Sequence, residues 1–413
     1  VSSLSTLLAL KSVTQSYLPT PEIQRIFGIF HRMVNDCIDI GLSYNVTALK
    51  RLSTLSWPQR SKYECPSYYK ACAVSRASGI LAARKKSLIR GKSTKNPYSL
   101  KPQITACRGF KINDGVLRIP VGKGDFQYIL LTKHMVCVLS DPTLTVRSFT
   151  LTPSSLSLCI SREVAQIECT DTIGVDRNLR NLTVGNRDRV TQYNLSEGVR
   201  IAEMTRDVVR SFKRNDFRIR KKIASKYGRR RRNRIEHLLH NTTKRIVSEA
   251  LQSKHAIVLE NIEGIQGLYR RGNGQGPRFR DRMNRWNFHE AQRQLEYKAR
   301  WVGLPVIHLS RTQTRGTSKT CPQCGERLQE DRKIVRKLWC QKCSVMMDRD
   351  VVAAVNISRH GRLRFDRSRA QDGLEGRAVE AVRGNPTPTV ILRVDALKSR
   401  NRLSTEDLAE PEP

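Results

Sequence analysis

Apolar positions along the chain follow two different spacings, and the change from one to the other divides it. Between Pro21 and Leu42 the residues Ile23, Ile26, Phe27, Phe30, Met33, Val34 and Cys37 recur every three or four positions, the period of one face of an α-helix. Pro21 suits the first turn, where its missing N–H removes no hydrogen bond. More helix is expected up to Arg84, Lys85 and Lys86. From Gly109 the pattern alternates: Phe110 to Ile119 reads apolar and polar in turn around Asp114-Gly115, which predicts a hairpin. Strand-like segments follow at Gln127 to Leu131, His134 to Leu139 and Leu156 to Ile160. This half reads as a small β-barrel carrying a helical insertion.

Near residue 170 the texture changes. Thr172 to Asp176 is a β-branched run ending in a carboxylate, and Leu182 to Val184 and Val190 to Tyr193 read as the next two strands of a meander. A long helical stretch is predicted from Val199 to Leu251, with Tyr227-Gly228 as the place where it breaks. Ala256 to Glu260 is a second buried-strand pattern ending in an acid. Gly272 to Gly276 reads as a loop, Trp286 to Val302 as helix, and Leu304 to His308 as a short strand. Asp350 opens an apolar helix through Ile357. The acidic, Pro-containing end from Glu406 to Pro413 reads as disordered. No repeat is visible.

Charge narrows the field. The 413 residues carry 75 Lys and Arg against 37 Asp and Glu, a net charge of +38. Such an excess repels itself unless a polyanion neutralises it, and phosphate neutralisation with counterion release makes nucleic acid the obvious partner. Arg218, Arg220, Lys221, Lys222, Lys226 and the run Arg229, Arg230, Arg231, Arg232 concentrate this charge in the predicted long helix. No apolar run is long enough to span a bilayer. The short patch Leu7 to Leu10 lacks a preceding basic segment and does not read as a signal peptide. Val1 stands where Met is expected, which a non-standard start codon or a truncated reading frame would explain.

Of eleven cysteines, seven are scattered (Cys37, Cys65, Cys72, Cys107, Cys137, Cys159, Cys169) and read as reduced packing residues. The other four form two Cys-x-x-Cys knuckles, Cys321 with Cys324 and Cys340 with Cys343. Two residues between thiolates let one tight turn present both sulfurs to a single metal, so the four predict a closed, structural zinc site. Two disulfides or an iron–sulfur cluster are the alternatives. Gly325 follows the first pair, where a knuckle turn needs positive φ. Lys319, Lys333, Arg336, Lys337 and Lys342 crowd the segment and are expected to face phosphate.

Asp176 and Glu260 each close an apolar strand pattern, and Asp350 heads a helix. Adjacent strands bring such ends together, and three carboxylates are hard ligands suited to divalent ions that assist phosphodiester displacement. Taken singly the signals are weak. An Asp after a strand is usually a turn residue, Asp350 could serve only as an N-cap, and Asp348 competes with it. Glu260 is the most informative, because a carboxylate closing Ile257-Val-Leu needs a partner.

Four stretches together resemble the TnpB (OrfB) family of insertion sequences and, more distantly, the type V CRISPR effectors that share its RuvC domain. Gly174-Val-Asp-Arg-Asn-Leu-Arg-Asn-Leu-Thr183 is similar to the first RuvC motif, Ile257-Val-Leu-Glu-Asn-Ile-Glu-Gly264 to the second and Asp348-Arg-Asp-Val-Val-Ala-Ala-Val-Asn-Ile357 to the third. Thr317-Ser-Lys-Thr-Cys-Pro-Gln-Cys-Gly325 looks like the family's entry into its zinc ribbon. Leu295 to Ala299 and Gly303 to Val306 also match. Two positions depart: Val352 stands where the family usually has Asn, which is expected to loosen the bonding around Asp350, and Asn178 stands where Gly is frequent.

The resemblance implies an α+β multidomain chain. A wedge-like N-terminal β-barrel over residues 1–168 would carry a recognition insertion at about residues 20–95. An RNase H-like RuvC α/β domain over 169–316 would be followed by an inserted four-cysteine zinc ribbon (317–346), the third motif (347–362) and a partly disordered extension (363–413). It implies an RNA-guided DNA endonuclease with Asp176, Glu260 and Asp350 as catalytic ligands of Mg2+ or Mn2+ and the four cysteines on Zn2+. Its partners would be a guide RNA from the transposon end and a double-stranded DNA target, in the cytoplasm at the nucleoid. The alternatives are a guided repressor that does not cut and a transposase acting on transposon ends. For the latter no tyrosine nucleophile motif is visible, and Tyr193, Tyr227, Tyr269 and Tyr297 read as packing or stacking residues.

Overall fold

In the computed structural model, residues 6–212, 217–270, 272, 274–285, 288–330, 336–372 and 390–395 are described. The chain divides into two units, residues 8–163 and residues 1–7 with 164–413.

In the first unit, β1 (Thr6–Ser16) leads into three helices, α1 (Pro21–Ser43), α2 (Leu49–Ser61) and α3 (Ser67–Ile89). The Thr20 hydroxyl accepts from the Ile23 N–H, Pro21 fills the first turn, and the predicted apolar stripe of α1 is buried. Phe30 packs edge-on against Tyr69 of α3, with ring centroids 6.5 Å apart. Seven further elements follow: β2 (Ile104–Ala106), β3 (Lys111–Asn113), β4 (Val116–Pro120), β5 (Phe126–Leu130), α4 (Lys133–Leu139), β6 (Thr145–Leu151) and β7 (Ser155–Ala165). They form two sheets, ordered β1-β7-β6-β2 and β3-β4-β5, with the helices inserted between β1 and β2. The hairpin turns where expected, with positive φ at Asp114 (49°) and Gly115 (74°).

His134 to Leu139 is helix, not strand. Its apolar residues Met135, Val136, Val138 and Leu139 follow helical spacing, and the Thr132 hydroxyl caps the turn by accepting from the Met135 N–H. The strand β1 was not expected. Its apolar residues at Leu7 to Leu10 do not alternate, and only Ala9, Val13 and Gln15 are buried.

The second unit opens with a meander, β8 (Asp171–Arg177), β9 (Asn181–Gly185) and β10 (Arg189–Asn194), followed by α5 (Ser196–Ser211) and α6 (Phe217–Gln252). Then come β11 (His255–Leu259), α7 (Pro277–Arg285), α8 (Phe288–Trp301), β12 (Val306–His308) and α9 (Arg311–Thr314). A small sheet of β13 (Gln329–Glu330), β14 (Lys337–Cys340) and β15 (Val345–Asp348) precedes α10 (Arg349–Asp372), and β16 (Val390–Asp395) closes the described chain. The main sheet runs β12-β11-β8-β9-β10-β16. β8, β9 and β10 are antiparallel, β11 is parallel to β8 and to β12, and β16 is parallel to β10.

Both faces of this sheet are covered, which is why its strands read as continuous apolar runs. Val175, Ile257 and Leu259 point to one face and pack with Leu238, Leu239 and Ile246 of α6 and Leu295 of α8. The alternate residue Val258 points the other way and packs with Ile357 of α10. The predicted break at Gly228 is absent: α6 passes through it, since one glycine costs a helix only about 1 kcal/mol. The division lies earlier, between Ser211 and Phe217. The third-motif helix continues past Ile357 to Asp372. The acidic end, residues 406–413, lies outside the described residues.

Candidate active site and cysteine ribbon

Strand alternation decides where the acids go. Parallel register sets Val175 opposite Leu259, so Asp176 and Glu260, each one step further, lie side by side at the strand ends. Both fall on the face that carries Val258, the face α10 covers. Gly174 sits on the same face, two residues before Asp176. A Cβ there would stand 2.1 Å from the Ala354 carbonyl oxygen, so only glycine lets α10 lie this close. The Thr172 hydroxyl donates to the Ser358 carbonyl at 2.9 Å, and the Ser358 hydroxyl donates back to the Thr172 carbonyl at 2.7 Å. These contacts bring the first turn of α10, with Asp350, over the two strand ends.

The two candidates for the third acid separate cleanly. Asp348 is the N-cap: its Oδ1 accepts from the N–H groups of Asp350 at 2.9 Å and Val351 at 3.4 Å. Asp350 is buried inside the first turn, with Oδ2 accepting from Asn181 Nδ2 at 3.3 Å and Oδ1 from Arg336. Asp176 is buried too, and accepts from Asn178 Nδ2 at 2.5 Å. Burial first, then the Glu260 and Asp350 carboxylates, hold its carboxyl well above the ordinary range. The strand ends and the helix start thus gather the three acids, although their oxygens do not all close to within 4.8 Å of one another.

Glu260 is anchored by Arg177, the residue after Asp176. The Arg177 N–H donates to Glu260 Oε1 at 3.1 Å, Nη2 donates to the Glu260 carbonyl at 2.7 Å, and Nε stands 3.5 Å from Oε1. Nη1 donates to Gln292 of α8 at 2.7 Å. Burial raises the Glu260 carboxyl above its usual value, and the Arg177 charge opposes that shift.

The four knuckle sulfurs lie within 4.8 Å of one another, the one such His, Cys, Asp or Glu group of three or more among the described residues. Cys321 and Cys343 are 3.9 Å apart and Cys324 and Cys340 3.5 Å, so neither pair is a disulfide. Tetrahedral Zn–S bonds of ~2.3 Å require sulfurs ~3.8 Å apart, and the set fits zinc. Gly325 has φ of 79°, as the knuckle turn requires. The N–H of Glu326 helps pull the Cys324 thiol down to about 7. All eleven cysteines are free.

Val352 does not face Asp350. It is buried in the ribbon's apolar cluster with Cys321, Leu328, Leu338 and Cys340, so the expected loosening there is not seen. Asn356 further ties α10 to the ribbon entry, donating to the carbonyls of Thr317 at 2.8 Å and Thr320 at 2.7 Å. Of the basic residues expected to face phosphate, Lys319 pairs with Glu330 at 2.9 Å and Arg336 turns to Asp350, while Lys333 lies outside the described residues. The roles of Arg177, Asn181 and Arg336 were not legible, since each follows from strand or loop geometry rather than from a spacing. The glycine before the first acid was the one available signal for Gly174.

On α6, Arg218, Lys221, Lys222, Arg229, Arg230 and Arg232 are exposed, and Arg220 and Arg231 are half-buried. No residue from Phe217 to Arg234 is buried, whereas Ile235, Leu238, Leu239, Ile246 and Val247 pack the second half into the core. The first half is a basic, largely exposed helix. No described helix is long and apolar enough to cross a membrane.

A sheet covered on both faces, acids at its strand ends and a four-cysteine cluster joined to the helix above them make an α+β chain. Residues 288–357 match the Cas12f1-like TNB domain family. The fold resembles that of the protein in the cryo-EM structure of the Cas12f1-sgRNA-target DNA complex, with a TM-score of 0.56 and 15% identity over 82% of this chain and 83% of that one. Two relatives from Methanocaldococcus jannaschii carry the comparison to sequence level. The TnpB-like protein MJ0751 is 33% identical over 199 residues, 44% of this chain and 66% of its own length. The TnpB-like protein MJ0012 is 28% identical over 136 residues, 33% of this chain and 57% of its own length. The comparisons support a member of the TnpB family, and the chain spans 66% of the length of one of these relatives and 57% of the other.

Proposed function

We propose that this chain is an RNA-guided DNA endonuclease of an insertion sequence, which cuts DNA at a RuvC-like site formed by Asp176, Glu260 and Asp350. The observation that carries the reading is their convergence: two adjacent parallel strand ends and one helix start put three carboxylates on the same face of the sheet. The strand order, with a central antiparallel meander flanked by parallel strands, supports an RNase H-like domain. The two sheets of the first unit, with helices inserted between β1 and β2, support a wedge-like barrel with a recognition insertion.

The donor set fits hard divalent cations: two buried carboxylates, Asp176 and Asp350, and a third, Glu260, with 13% of its side chain exposed, offering only oxygen. Asp176, Glu260 and Asp350 would hold Mg2+ or Mn2+, which when bound supplies an activated water and charge neutralisation at the leaving oxygen. The chain's own groups prepare that pocket. Arg177 fixes the Glu260 rotamer, Asn178 fixes Asp176, Asn181 fixes Asp350, and α10 screens the strand ends from bulk water. The four cysteines would hold Zn2+ as a structural centre, all four positions being occupied by thiolates. The basic half of α6 would grip the backbone of a guide–target heteroduplex, whose sequence is read by base pairing and not by protein. The guide would derive from the transposon end and the target would be double-stranded DNA, in the cytoplasm at the nucleoid. The domain limits that follow are 1–168, 169–316, 317–346, 347–362 and 363–413.

Asp176→Ala separates cutting from binding. The ribonucleoprotein purified with its own RNA is expected to cleave a guide-matched, correctly flanked duplex in Mg2+. The variant should lose cleavage and retain the duplex in a gel-shift assay. A wild-type particle that binds the matched duplex and leaves it intact would favour a guided repressor, and strand joining of transposon ends would favour a transposase.

A further inference from the structure

Two of the seven scattered cysteines meet. Helix α3 sets Tyr68, Cys72 and Arg76 on one stripe, each four residues from the next. The segment from Gln103 to Gly109, which contains β2, runs along that stripe in the opposite direction. At one end a Cβ on Gly109 would stand 2.5 Å from the Tyr68 ring, so the backbone there lies directly on the ring. At the other end Arg76 Nη2 donates to Gln103 Oε1 at 3.3 Å. Between them the Cys72 thiol accepts from the Cys107 N–H and shares a hydrogen bond with the Cys107 thiol. Both thiols are free.

The two thiols differ in access. Cys107 is exposed, one residue beyond the end of β2, and open to a reagent from solvent. Cys72 is half-buried. Burial holds its thiol above the usual value, while the Cys107 N–H and the Arg108 charge favour its thiolate. A small-molecule disulfide such as glutathione disulfide therefore meets Cys107 first. The Cys107 thiolate attacks one sulfur of the oxidant, forms a mixed disulfide and releases one glutathione thiolate. The Cys72 thiolate beside it then attacks the Cys107 sulfur, and the second glutathione leaves. The two cysteine protons end on the two glutathione thiols, so two cysteines are oxidised and one disulfide is reduced.

We propose that Cys72 and Cys107 form a reversible disulfide, a redox-responsive clasp that fastens the last inserted helix to β2 and lets go on reduction. Its position gives the clasp an effect. The helices α1, α2 and α3 leave the sheet after β1 and return to it at β2, an edge strand, and α3 is the one that leads back. With the thiols free, non-covalent contacts alone hold α3 to β2. With the bond made, the chain from Cys72 to Cys107 is a closed loop and the helix cannot part from the strand. In a reducing compartment the open form is the resting one, and pairs of this kind respond to oxidant rather than serve as permanent staples.

The test is peptide mapping by mass spectrometry after the full-length chain is titrated with glutathione disulfide and its remaining thiols are alkylated. Trypsin puts the two cysteines in separate peptides, residues 71–76 and 96–108, each with no other cysteine. Wild type is expected to give these two peptides joined, and dithiothreitol should part them. Cys72→Ser should stop at Cys107 carrying glutathione. Cys107→Ser, a change at an exposed position, should leave Cys72 free. The bond should raise the thermal midpoint of the first unit by about 5–10 °C, as closing a loop of this length predicts. Three results overturn the proposal: wild-type Cys107 that keeps its glutathione or joins the Cys107 of a second chain, a joined pair with an unchanged midpoint, and loss of zinc from the chain at lower oxidant than joins the pair, which would make the ribbon thiols the responders.

Discussion

Arg177 and Glu260 form the kind of pair in which the loss of one partner does more harm than the loss of both. The guanidinium has no exposed side-chain surface, and the carboxylate keeps 13%. Burial pushes the Arg177 guanidinium down from its usual value, and the Glu260 charge pulls it back up. Arg177→Met would leave a nearly buried carboxylate with the Arg177 backbone N–H as its remaining donor from that residue, and is expected to lower stability by about 3 kcal/mol. Combining it with Glu260→Gln should recover part of that loss, with a coupling energy of about 1–3 kcal/mol from a double-mutant cycle in urea. Additive effects would mean that the pair is geometric only. Val352 teaches a related lesson: the departure expected to disturb Asp350 lies in the ribbon core, where an apolar side chain is the better fit.

At the scale of elements, the packing of α10 on β8 decides whether Asp350 reaches the strand ends that carry Asp176 and Glu260. A Cβ added at Gly174 would meet backbone of the helix, the Ala354 carbonyl at 2.1 Å and the Ser358 nitrogen at 2.5 Å, while one at Gly361 would meet only the Val258 side chain, at 2.2 Å. Backbone cannot turn aside as a side chain can. Gly174→Ala is therefore expected to destabilise the unit by about 1–3 kcal/mol and to reduce cleavage further by lifting Asp350 from the strand ends. Gly361→Ala should be milder in both, and the comparison is read from urea midpoints and cleavage rates of the two variants. Elements whose signal is local were legible in the sequence. β8 and β11 show it as apolar runs closed by an acid, the β3–β4 turn as Asp-Gly, and the ribbon as two thiol pairs. Elements whose identity depends on a neighbour were not. The apolar residues of α4 satisfy a short strand as well as a short helix until the Thr132 cap is seen, and β1 is recognisable only once β7 is there to pair with it. Asp348 and Asp350 looked equivalent because a helix cap and a site acid use the same residue type, and hydrogen bonds show that Asp348 is the cap.

For the whole molecule, a net charge of +38 is a statement about what must surround it, and its placement says more than its size. The sheet, the acids and the ribbon are built from mixed charges, whereas the stretch from Phe217 to Arg234 contains no acid and buries no residue. A stretch that buries no residue gains little from packing on its own chain, so a partner is expected to add to its stability. Phosphate fits: exposed Arg218, Lys221, Lys222, Arg229 and Arg230 share one open groove along the helix. Replacing Arg229, Arg230, Arg231 and Arg232 together by Ala removes charge without opening the core. Folding stability is therefore expected to stay within about 1 kcal/mol of wild type, the range of a few surface substitutions. Affinity for the RNA that co-purifies with the chain should fall, and fall most at low salt. If the four side chains each neutralise one phosphate, the slope of log affinity against log salt should flatten by about 3, at ~0.7 per contact on a single strand. A smaller change counts the contacts made. An unchanged slope with unchanged affinity would mean that the helix serves another partner, and would detach the basic half of α6 from the guide while leaving the carboxylate site as it stands.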